Sequence, residues 1–398
     1  MGTAGIICEY NPLHPGHLRH MALTRARLGR DGGLVCVMSG DFVQRGEAAA
    51  YSKYARAEAA VRCGADAVFE LPLPWCLASA EGFARGAVGL LGALGVELLS
   101  FGSEAGETGP LRELAPALAE PPFLEAVRRR MREEPSRSFA AVRQEVLAET
   151  LGENAALLSE PNNILAVEYL KAIETLGLAM EPFTVKRRGS SHDGTGGEEK
   201  SASELRSLLR QGRDVGEFLP PNALAVYRRE EALGRGMPDA LLLETALLSR
   251  LRGLEEERFC RLDDAGDGLG LRLCRAAREE PTMDALLSAV KTKRYPLARI
   301  RRLCLAAALG LEADMSAGIP PYARLLAANE RGRALVRDFS RCSSLPILTK
   351  PAAVRELSEE AERIFTLGSR AHDLYVLGYR TQEERRGDRD WRTGPVIL

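Results

Sequence analysis

Residues 5–20, with the sequence GIICEYNPLHPGHLRH, carry the strongest fold signal in the chain. The apolar run Gly5–Cys8 predicts a buried β-strand, and the prolines and glycine within residues 9–16 then require a tight loop. A helical pattern begins at about His17. A strand, a tight loop and a helix in this order predict the first crossover of a parallel α/β sheet.

The alternation of short apolar runs and helical patterns continues through the first half of the chain. Further strands are predicted at residues 34–38, 67–71, 96–101 and 181–187, with helical stretches between them. This rhythm predicts a doubly wound, Rossmann-like parallel sheet. In such sheets ligands bind outside the carboxyl ends of the strands.

The second half of the chain has a different pattern. Amphipathic helical periodicity dominates from about Leu219, so the sequence predicts a catalytic α/β domain over residues 1–215 and a mainly α-helical domain over residues 216–398. The segment Pro395–Leu398 is apolar enough to pair as a terminal edge strand.

Composition narrows the functional class. The 398 residues include 54 Lys and Arg against 55 Asp and Glu, and the resulting net charge of −1 excludes a generally basic nucleic-acid-binding surface while allowing a local one. The eight cysteines contain no CxxC pair, which predicts reduced thiols and no structural metal. No secretion signal or membrane segment is evident, so we expect a cytoplasmic protein.

His14 and His17 are the leading candidates for catalysis. They lie where a strand leads into a helix, and a helix N-terminus presents unpaired N–H groups that favour phosphate. Two imidazoles three positions apart can both approach the α-phosphate of a nucleotide while pyrophosphate leaves. The alternatives are two incidental histidines of a polar loop, or a zinc pair without a partner cluster. His20, one turn further on, is interpreted as a helix-surface residue.

The HxGH pattern after a first strand resembles the signature of nucleotidyltransferases and class I synthetases, which have HUP-type folds. The longer string over residues 5–20 is similar, more narrowly, to the bacterial tRNA(Met) cytidine acetate ligase family. The resemblance is strong to about Arg206 and looser beyond it. Four further blocks support it, at residues 38–47, 64–72, 101–104 and 161–166.

The resemblance implies an ATP-dependent ligase that acts in two steps. Acetate attacks the α-phosphate of ATP, giving acetyl-adenylate and pyrophosphate, and the acetyl group then passes to N4 of the wobble cytidine of elongator tRNA(Met). The implied cofactor is ATP, accompanied by Mg²⁺, and the implied partners are acetate and the tRNA. The positions that match the family's ATP contacts are Ile7, Cys8, Glu9, Tyr10, Asn11, Pro12, Leu13, His14, Pro15, Gly16, His17, Leu18, Arg19, His20, Gly102, Asn162, Arg187 and Arg188.

A further phosphate-binding element is expected at the next helix start. Residues 201–206, SASELR, resemble the ISSTxIR-type helix start of nucleotidyltransferases and add Ser203 and Arg206 to the ATP site. Helix capping by the serines is the alternative, and for Arg187 the alternative is a salt-bridged arginine at a strand end. The loop at residues 189–200 departs from the family pattern, with Lys200 where an apolar residue is usual.

Two other groups of residues remain candidates. Asp41 follows the second strand and is a candidate for holding Mg²⁺ or orienting the cytidine amine, although an aspartate that begins a turn would look the same. A basic stripe suits RNA phosphates, with an aromatic ring available for stacking, although charge runs are often only solvated. The stripe consists of Lys291, Lys293, Arg294, Tyr295, Arg299, Arg301 and Arg302.

Two rival functions share part of this pattern. An adenylyltransferase acting on a phosphorylated metabolite, such as pantetheine phosphate or nicotinamide mononucleotide, would also need HxGH and a basic helix start. A non-enzymatic RNA-binding module could retain a vestigial nucleotide pocket. The helical second half and its basic stripe favour RNA over a small metabolite, and the intact HxGH residues favour an enzyme.

Overall fold

The structure is a computed structural model that describes residues 2–134, 137, 139–187 and 200–398. Ten strands lie in the described residues: β1 (Thr3–Cys8), β2 (Gly33–Ser39), β3 (Phe42–Val43), β4 (Glu47–Ala48), β5 (Ala67–Leu71), β6 (Leu98–Ser103), β7 (Glu181–Lys186), β8 (Ala323–Ala328), β9 (Ile347–Leu348) and β10 (Val396–Ile397).

The helices surround this framework. Those of the first 210 residues are α1 (Pro15–Leu28), α2 (Lys53–Arg62), α3 (Leu73–Cys76), α4 (Ala80–Ala93), α5 (Thr108–Ala119), α6 (Pro121–Glu133), α7 (Phe139–Leu151), α8 (Pro161–Thr175) and α9 (Ala202–Arg210). Those that follow are α10 (Pro221–Ala232), α11 (Ala240–Arg252), α12 (Glu256–Cys260), α13 (Leu269–Glu279), α14 (Met283–Val290), α15 (Leu297–Leu309), α16 (Glu330–Cys342), α17 (Glu359–Val376) and α18 (Arg389–Arg392).

Short 3₁₀ helices connect several of these elements, at Gly152–Ser159, Gly216–Phe218, Pro351–Glu356 and Gln382–Glu384. Among the described residues, no helix is both long enough and apolar enough to cross a lipid bilayer.

The main sheet has the strand order β10-β8-β5-β2-β1-β6-β7, with β9 beside β8. The strands are parallel except for the β5–β8 pair, which is antiparallel. Alternate residues of β2 face the two cores: Val35 and Val37 pack on one side and Cys36 and Met38 on the other. The predicted α/β class with a largely parallel sheet is confirmed, and all five predicted strands are present.

The mainly helical second half of the chain also contributes strands, because β8, β9 and β10 lie in the main sheet. The expected terminal edge strand is confirmed, since Val396–Ile397 pairs in parallel with β8.

A buried ionic cluster of Lys53, Glu70, Arg324 and Asp390 stabilises the position of β8 and α18 beside the rest of the sheet. Lys53 Nζ lies 2.8 Å from Glu70 Oε1 and 2.5 Å from Asp390 Oδ2. Arg324 Nη1 lies 3.0 Å from Glu70 Oε2 and 2.9 Å from Asp390 Oδ2. All four side chains are almost fully buried. The cluster therefore joins α2, β5, β8 and α18, and two positive charges balance two negative charges.

Candidate active site

The loop between β1 and α1, called here the crossover loop (residues 9–14), is held from three directions. The Asn11 carbonyl accepts a hydrogen bond from Arg206 Nη1 at 2.9 Å, and Asn11 Oδ1 accepts one from the Ala50 N–H at 2.7 Å. The Leu13 N–H donates to the Tyr227 hydroxyl at 3.2 Å. These three hydrogen bonds hold the loop at the carboxyl end of β1.

His14 and His17 shape the start of α1 through their own side chains. The Gly16 N–H donates to His14 Nδ1 at 3.1 Å, and the His14 N–H donates to His17 Nδ1 at 3.3 Å, which forms a capping box. The two ring centroids are 3.8 Å apart. Because Nδ1 accepts a hydrogen bond in both rings, each neutral imidazole carries its proton on Nε2. The pair therefore presents two N–H donors.

The environment keeps these rings neutral. Burial, aided by the positive charge of Arg187, lowers the pKa of His14 to about 4. Burial, with His14, Arg187 and His20 nearby, lowers the pKa of His17 well below its usual range. At neutral pH both groups can stabilise phosphate charge by hydrogen-bond donation. The sequence predicts two imidazoles at a phosphate, and their hydrogen bonds and burial indicate that both are neutral.

His20 faces the sheet, which corrects its interpretation as a surface residue. Its Nε2 lies 2.8 Å from Ser100 Oγ on β6, and burial followed by Arg187 lowers its pKa to about 4. Leu18 is exposed and Arg19 half-buried on the same helix. His20 thus orients α1 against the sheet.

The other crossover residues line the base of the site. Tyr10 and Leu13 are buried, and the Tyr10 ring centroid lies 5.1 Å from that of His17. Ile7 and Cys8 are half-buried at the end of β1. The crossover loop therefore supplies backbone and ring contacts, while the cations Arg187 and Arg206 come from the end of β7 and from α9.

Arg187 crosses the end of β6 directly above Gly102. A Cβ atom at position 102 would lie 3.3 Å from Arg187 Cγ, which is tighter than ordinary contact. The Arg187 side chain is exposed and makes no ion pair with any described residue, so the salt-bridged alternative is not observed. Arg188 and the loop at residues 189–199 lie outside the described residues.

Replacing Gly102 with alanine is expected to raise the KM for ATP, because the new methyl group displaces Arg187 from above the strand end. Loss of one charge-assisted hydrogen bond corresponds to about a tenfold increase. Gly109→Ala is the matched control, since a Cβ there would meet nothing within 4 Å. Equal KM values for the two variants would contradict this placement of Arg187.

Asn162 lies at the start of α8, where Glu104 fixes its orientation. Asn162 Nδ2 donates to Glu104 Oε1 at 2.5 Å, and the Asn163 N–H donates to Glu104 Oε2 at 2.9 Å. Sequence reasoning did not assign Glu104 a role, although it lies in the block at residues 101–104. Glu104 positions the amide of Asn162 through these two bonds.

At the start of α9, helix capping and the contact with the crossover loop are made by different residues. Ser201 caps the helix together with Glu204, whereas Ser203 is exposed. Arg206 reaches back to the crossover loop through the Asn11 carbonyl. Arg206 is therefore part of the site, and Ser203 is at its margin.

Known proteins are similar to this chain over nearly its whole length. The HIGH Nucleotidyl Transferase family matches residues 1–390. A curated tRNA(Met) cytidine acetate ligase from Syntrophotalea carbinolica is 39% identical over 98% of this chain and 94% of its own length. One from Alkaliphilus metalliredigens is 32% identical over 99% and 98%. The crystal structure of Thermotoga maritima TmcAL bound with alpha-thio ATP superposes with a TM-score of 0.93 at 31% identity, covering 100% of both chains.

The chain belongs to the tRNA(Met) cytidine acetate ligase family. The resemblance stated from sequence is thereby confirmed, as is the combination of a HUP-type domain with a helical C-terminal region. Members of this family are enzymes, so the non-enzymatic alternative is not supported.

Asp41 is a catalytic candidate from the sequence, but the structure places it in buried contacts within the fold. It is 3% exposed; its Oδ1 accepts the Lys53 N–H at 2.8 Å, and its Oδ2 lies 2.8 Å from His372 Nδ1. Both oxygens are therefore engaged, and Asp41 fastens the turn after β2 to α2 and α17. The described residues contain no group of three or more His, Cys, Asp or Glu that could hold a metal ion, so no protein-held Mg²⁺ site is assigned.

The structure engages the arginines and the tyrosine of the basic stripe in contacts within the fold. Tyr295 is buried and donates to the Asp267 carbonyl at 3.2 Å, so the expectation that it stacks on a base is wrong. The arginines contact acidic side chains or carbonyls. These contacts are Arg294 with Asp267 (2.5 Å), Arg299 with the Asp264 carbonyl (3.0 Å), Arg301 with Glu47 (2.5 Å) and Arg302 with the Gln44 carbonyl (3.5 Å).

Lys291 and Lys293 differ from these arginines. Both are exposed, and neither forms an ion pair in the described part of the chain. The two lysines are therefore the most exposed cations of the stripe.

Proposed function

We propose that this chain activates acetate with ATP and transfers the acetyl group to N4 of the wobble cytidine of elongator tRNA(Met), forming N4-acetylcytidine. The observation that carries the proposal is the pair of neutral imidazoles at the start of α1, in a chain that belongs to the tRNA(Met) cytidine acetate ligase family. The relatives are named for acetate, cytidine and tRNA(Met), and the Thermotoga maritima structure contains an ATP analogue.

In the first step, ATP lies over the crossover loop and the start of α1. A carboxylate oxygen of acetate attacks the α-phosphorus, the bond to the bridging oxygen breaks, and pyrophosphate leaves. Acetate is already a nucleophile at neutral pH and needs no general base, so the protein supplies orientation and charge stabilisation. His14 and His17 donate Nε2–H groups to the α-phosphate, and Arg187 offsets its negative charge.

The remaining proposed contacts surround the nucleotide. Gly102 leaves room above β6, Asn162 offers a donor and an acceptor, and Arg206 supports the crossover loop. Mg²⁺ would enter with the nucleotide and would offset part of the charge of its phosphates. We assign catalysis to residues 1–215 and tRNA binding to residues 216–398, and we expect the protein to act in the cytoplasm, where its tRNA substrate is.

In the second step, N4 of the cytidine attacks the acetyl carbon of acetyl-adenylate. An N–C bond forms, the C–O bond to the phosphate breaks, and AMP leaves. The amine loses one proton.

Two assays test the whole proposal with the purified chain. ATP–pyrophosphate exchange should depend on acetate, and mass spectrometry of tRNA incubated with ATP and labelled acetate should show one labelled acetyl group on the wobble cytidine. Exchange without acetate, or a dinucleotide product formed without tRNA, would instead favour an adenylyltransferase.

Removing both exposed lysines of the stripe is expected to weaken tRNA binding without changing acetyl-adenylate formation. For Lys291→Ala combined with Lys293→Ala, the slope of log Kd against log salt concentration should decrease by about 1 to 2, since each phosphate contact contributes about 0.7 to 0.9. Lys350→Ala, at another exposed lysine, is the control. A salt dependence equal to that of the control would place the RNA elsewhere.

A further inference from the structure

Three arginines from two helices converge on one carboxylate, that of Glu47 in β4. Arg301 Nη1, from α15, lies 2.5 Å from Glu47 Oε1, and Arg210 Nη2, from α9, lies 3.2 Å from Glu47 Oε2. Arg206 Nε, one turn earlier on α9, lies 4.0 Å from the same Oε2. These four residues are called here the arginine cluster.

The arginine cluster carries more positive charge than it balances internally. Among the described residues, Glu47 is the only carboxylate within salt-bridge distance of the three guanidiniums, so three positive charges meet one negative charge. The buried Nε of Arg206 has no hydrogen-bond partner in the described chain. Burial lowers the pKa of Arg206, and Glu47 offsets only part of that effect. The excess positive charge favours an anion at this place.

Arg210 and Arg301 are accessible to such an anion. Their side chains are 49% and 32% exposed, whereas that of Glu47 is 19% exposed. Within the described chain, each of the two guanidiniums makes one hydrogen bond, to Glu47. Most of their N–H donors are therefore unused. Arginines with free donors suit a phosphate, which a guanidinium can bind through two parallel hydrogen bonds.

The hairpin of β3 and β4 holds Glu47 against α15. Gly46 has a φ of +72°, and a Cβ there would lie 2.6 Å from the backbone nitrogen of Arg302. The Gly46 N–H donates to the Val43 carbonyl at 2.8 Å, which closes the turn. The carboxylate thus orients both exposed arginines before a ligand binds, which reduces the entropy that binding costs.

The arginine cluster adjoins the crossover loop through Arg206. The guanidinium that approaches Glu47 also donates from Nη1 to the Asn11 carbonyl at 2.9 Å. The cluster therefore lies one side chain away from the loop over which acetyl-adenylate forms in the proposed reaction. An RNA loop that presents an unstacked cytidine to this adenylate also brings the two phosphates that flank the cytidine.

We propose that Arg210 and Arg301 bind one phosphate next to the acceptor cytidine of the RNA substrate, while Glu47 holds the two guanidiniums in place. The assignment rests on the proposed function and adds an RNA-binding site to its second step. The two guanidiniums contact the two oxygens of one carboxylate, so they lie close enough together to share one phosphate.

The test combines a double variant, Arg210→Gln with Arg301→Gln, and tRNA(Met) in which either phosphate flanking the acceptor cytidine is replaced by a neutral methylphosphonate. One of the two replacements should raise the Kd of the wild type about tenfold, the loss expected for one charge-assisted contact. The double variant should bind unmodified tRNA about tenfold more weakly and lose nothing further with that methylphosphonate. Its slope of log Kd against log salt concentration should decrease by about 0.7 to 0.9, the contribution of one phosphate. Acetyl-adenylate formation should equal that of the wild type, which also reports that the variant is folded.

Arg341→Gln is the matched control, because Arg341 is an exposed arginine that also pairs with one carboxylate, that of Asp338 on α16. Equal losses from the methylphosphonate in the wild type and the double variant would overturn the proposal, as would a wild type that is insensitive to both replacements. Parallel loss of acetyl-adenylate formation in the double variant would also overturn it, because the two arginines would then serve ATP. Failure of the wild type to form acetyl-adenylate would instead contradict the proposed function itself.

Discussion

Replacing His17 with alanine should reduce acetate-dependent ATP–pyrophosphate exchange by about 10²- to 10³-fold, the loss typical when one preorganised hydrogen-bond donor to a developing anion is removed. The reason is geometric. His17 Nδ1 is occupied by the His14 N–H, so its Nε2–H is free to donate to the α-phosphate. Single-turnover formation of acetyl-adenylate measures the effect directly.

The same side chain also caps α1, so a second variant must separate capping from catalysis. Glutamine can replace the capping acceptor at this position of a capping box. His17→Gln should therefore unfold at nearly the wild-type temperature and still lose exchange. Arg27→Ala, on an exposed part of α1, is the control for general effects on the helix. Exchange within threefold of the wild type in both His17 variants would contradict the catalytic assignment.

Replacing Arg324 with methionine should lower the free energy of unfolding by about 3 to 5 kcal/mol, because it leaves a buried negative charge without its partner. Arg324 contacts both Glu70 and Asp390, and Lys53 alone cannot balance two carboxylates in a site shielded from water. Urea denaturation monitored by circular dichroism measures the change.

An exposed ion pair provides the comparison for this result. Arg341 lies 3.5 Å from Asp338 with both side chains largely in solvent, so Arg341→Met should cost less than about 1 kcal/mol. Adding Asp390→Asn to Arg324→Met should recover part of the lost stability by removing the unpaired charge. A loss below 1 kcal/mol for Arg324→Met alone would show that the cluster contributes little.

The nucleotide-binding half of the fold was predictable because its signals are local. Each strand of the parallel sheet is a short apolar run, and the HxGH loop carries its own turn residues. The strand Ala323–Ala328 was not found, because its sequence, ARLLAA, consists of residues with high helix propensity and follows a run of helices. Its position beside β5 depends on tertiary contacts that no local pattern reveals.

The roles of charged residues were less predictable. Asp41 and His372 are 331 positions apart, so their pairing cannot be inferred from spacing. Arg294 and Arg301 of the basic stripe pair with Asp267 and Glu47, which lie 27 and 254 positions away in the sequence. A charge pattern shows which residues can bind an anion, but the fold decides which of them remain available.

The ionic cluster also constrains when folding can finish. Asp390 follows Lys53 by 337 residues. Until Asp390 has been synthesised, the buried cations Lys53 and Arg324 have only one of the two carboxylates that balance their charges. Contacts of such long sequence separation form late and slow the overall reaction. The ionic cluster can therefore be completed only after α18 has been synthesised, and a nascent polypeptide paused before that point would have the crossover loop but not the complete cluster.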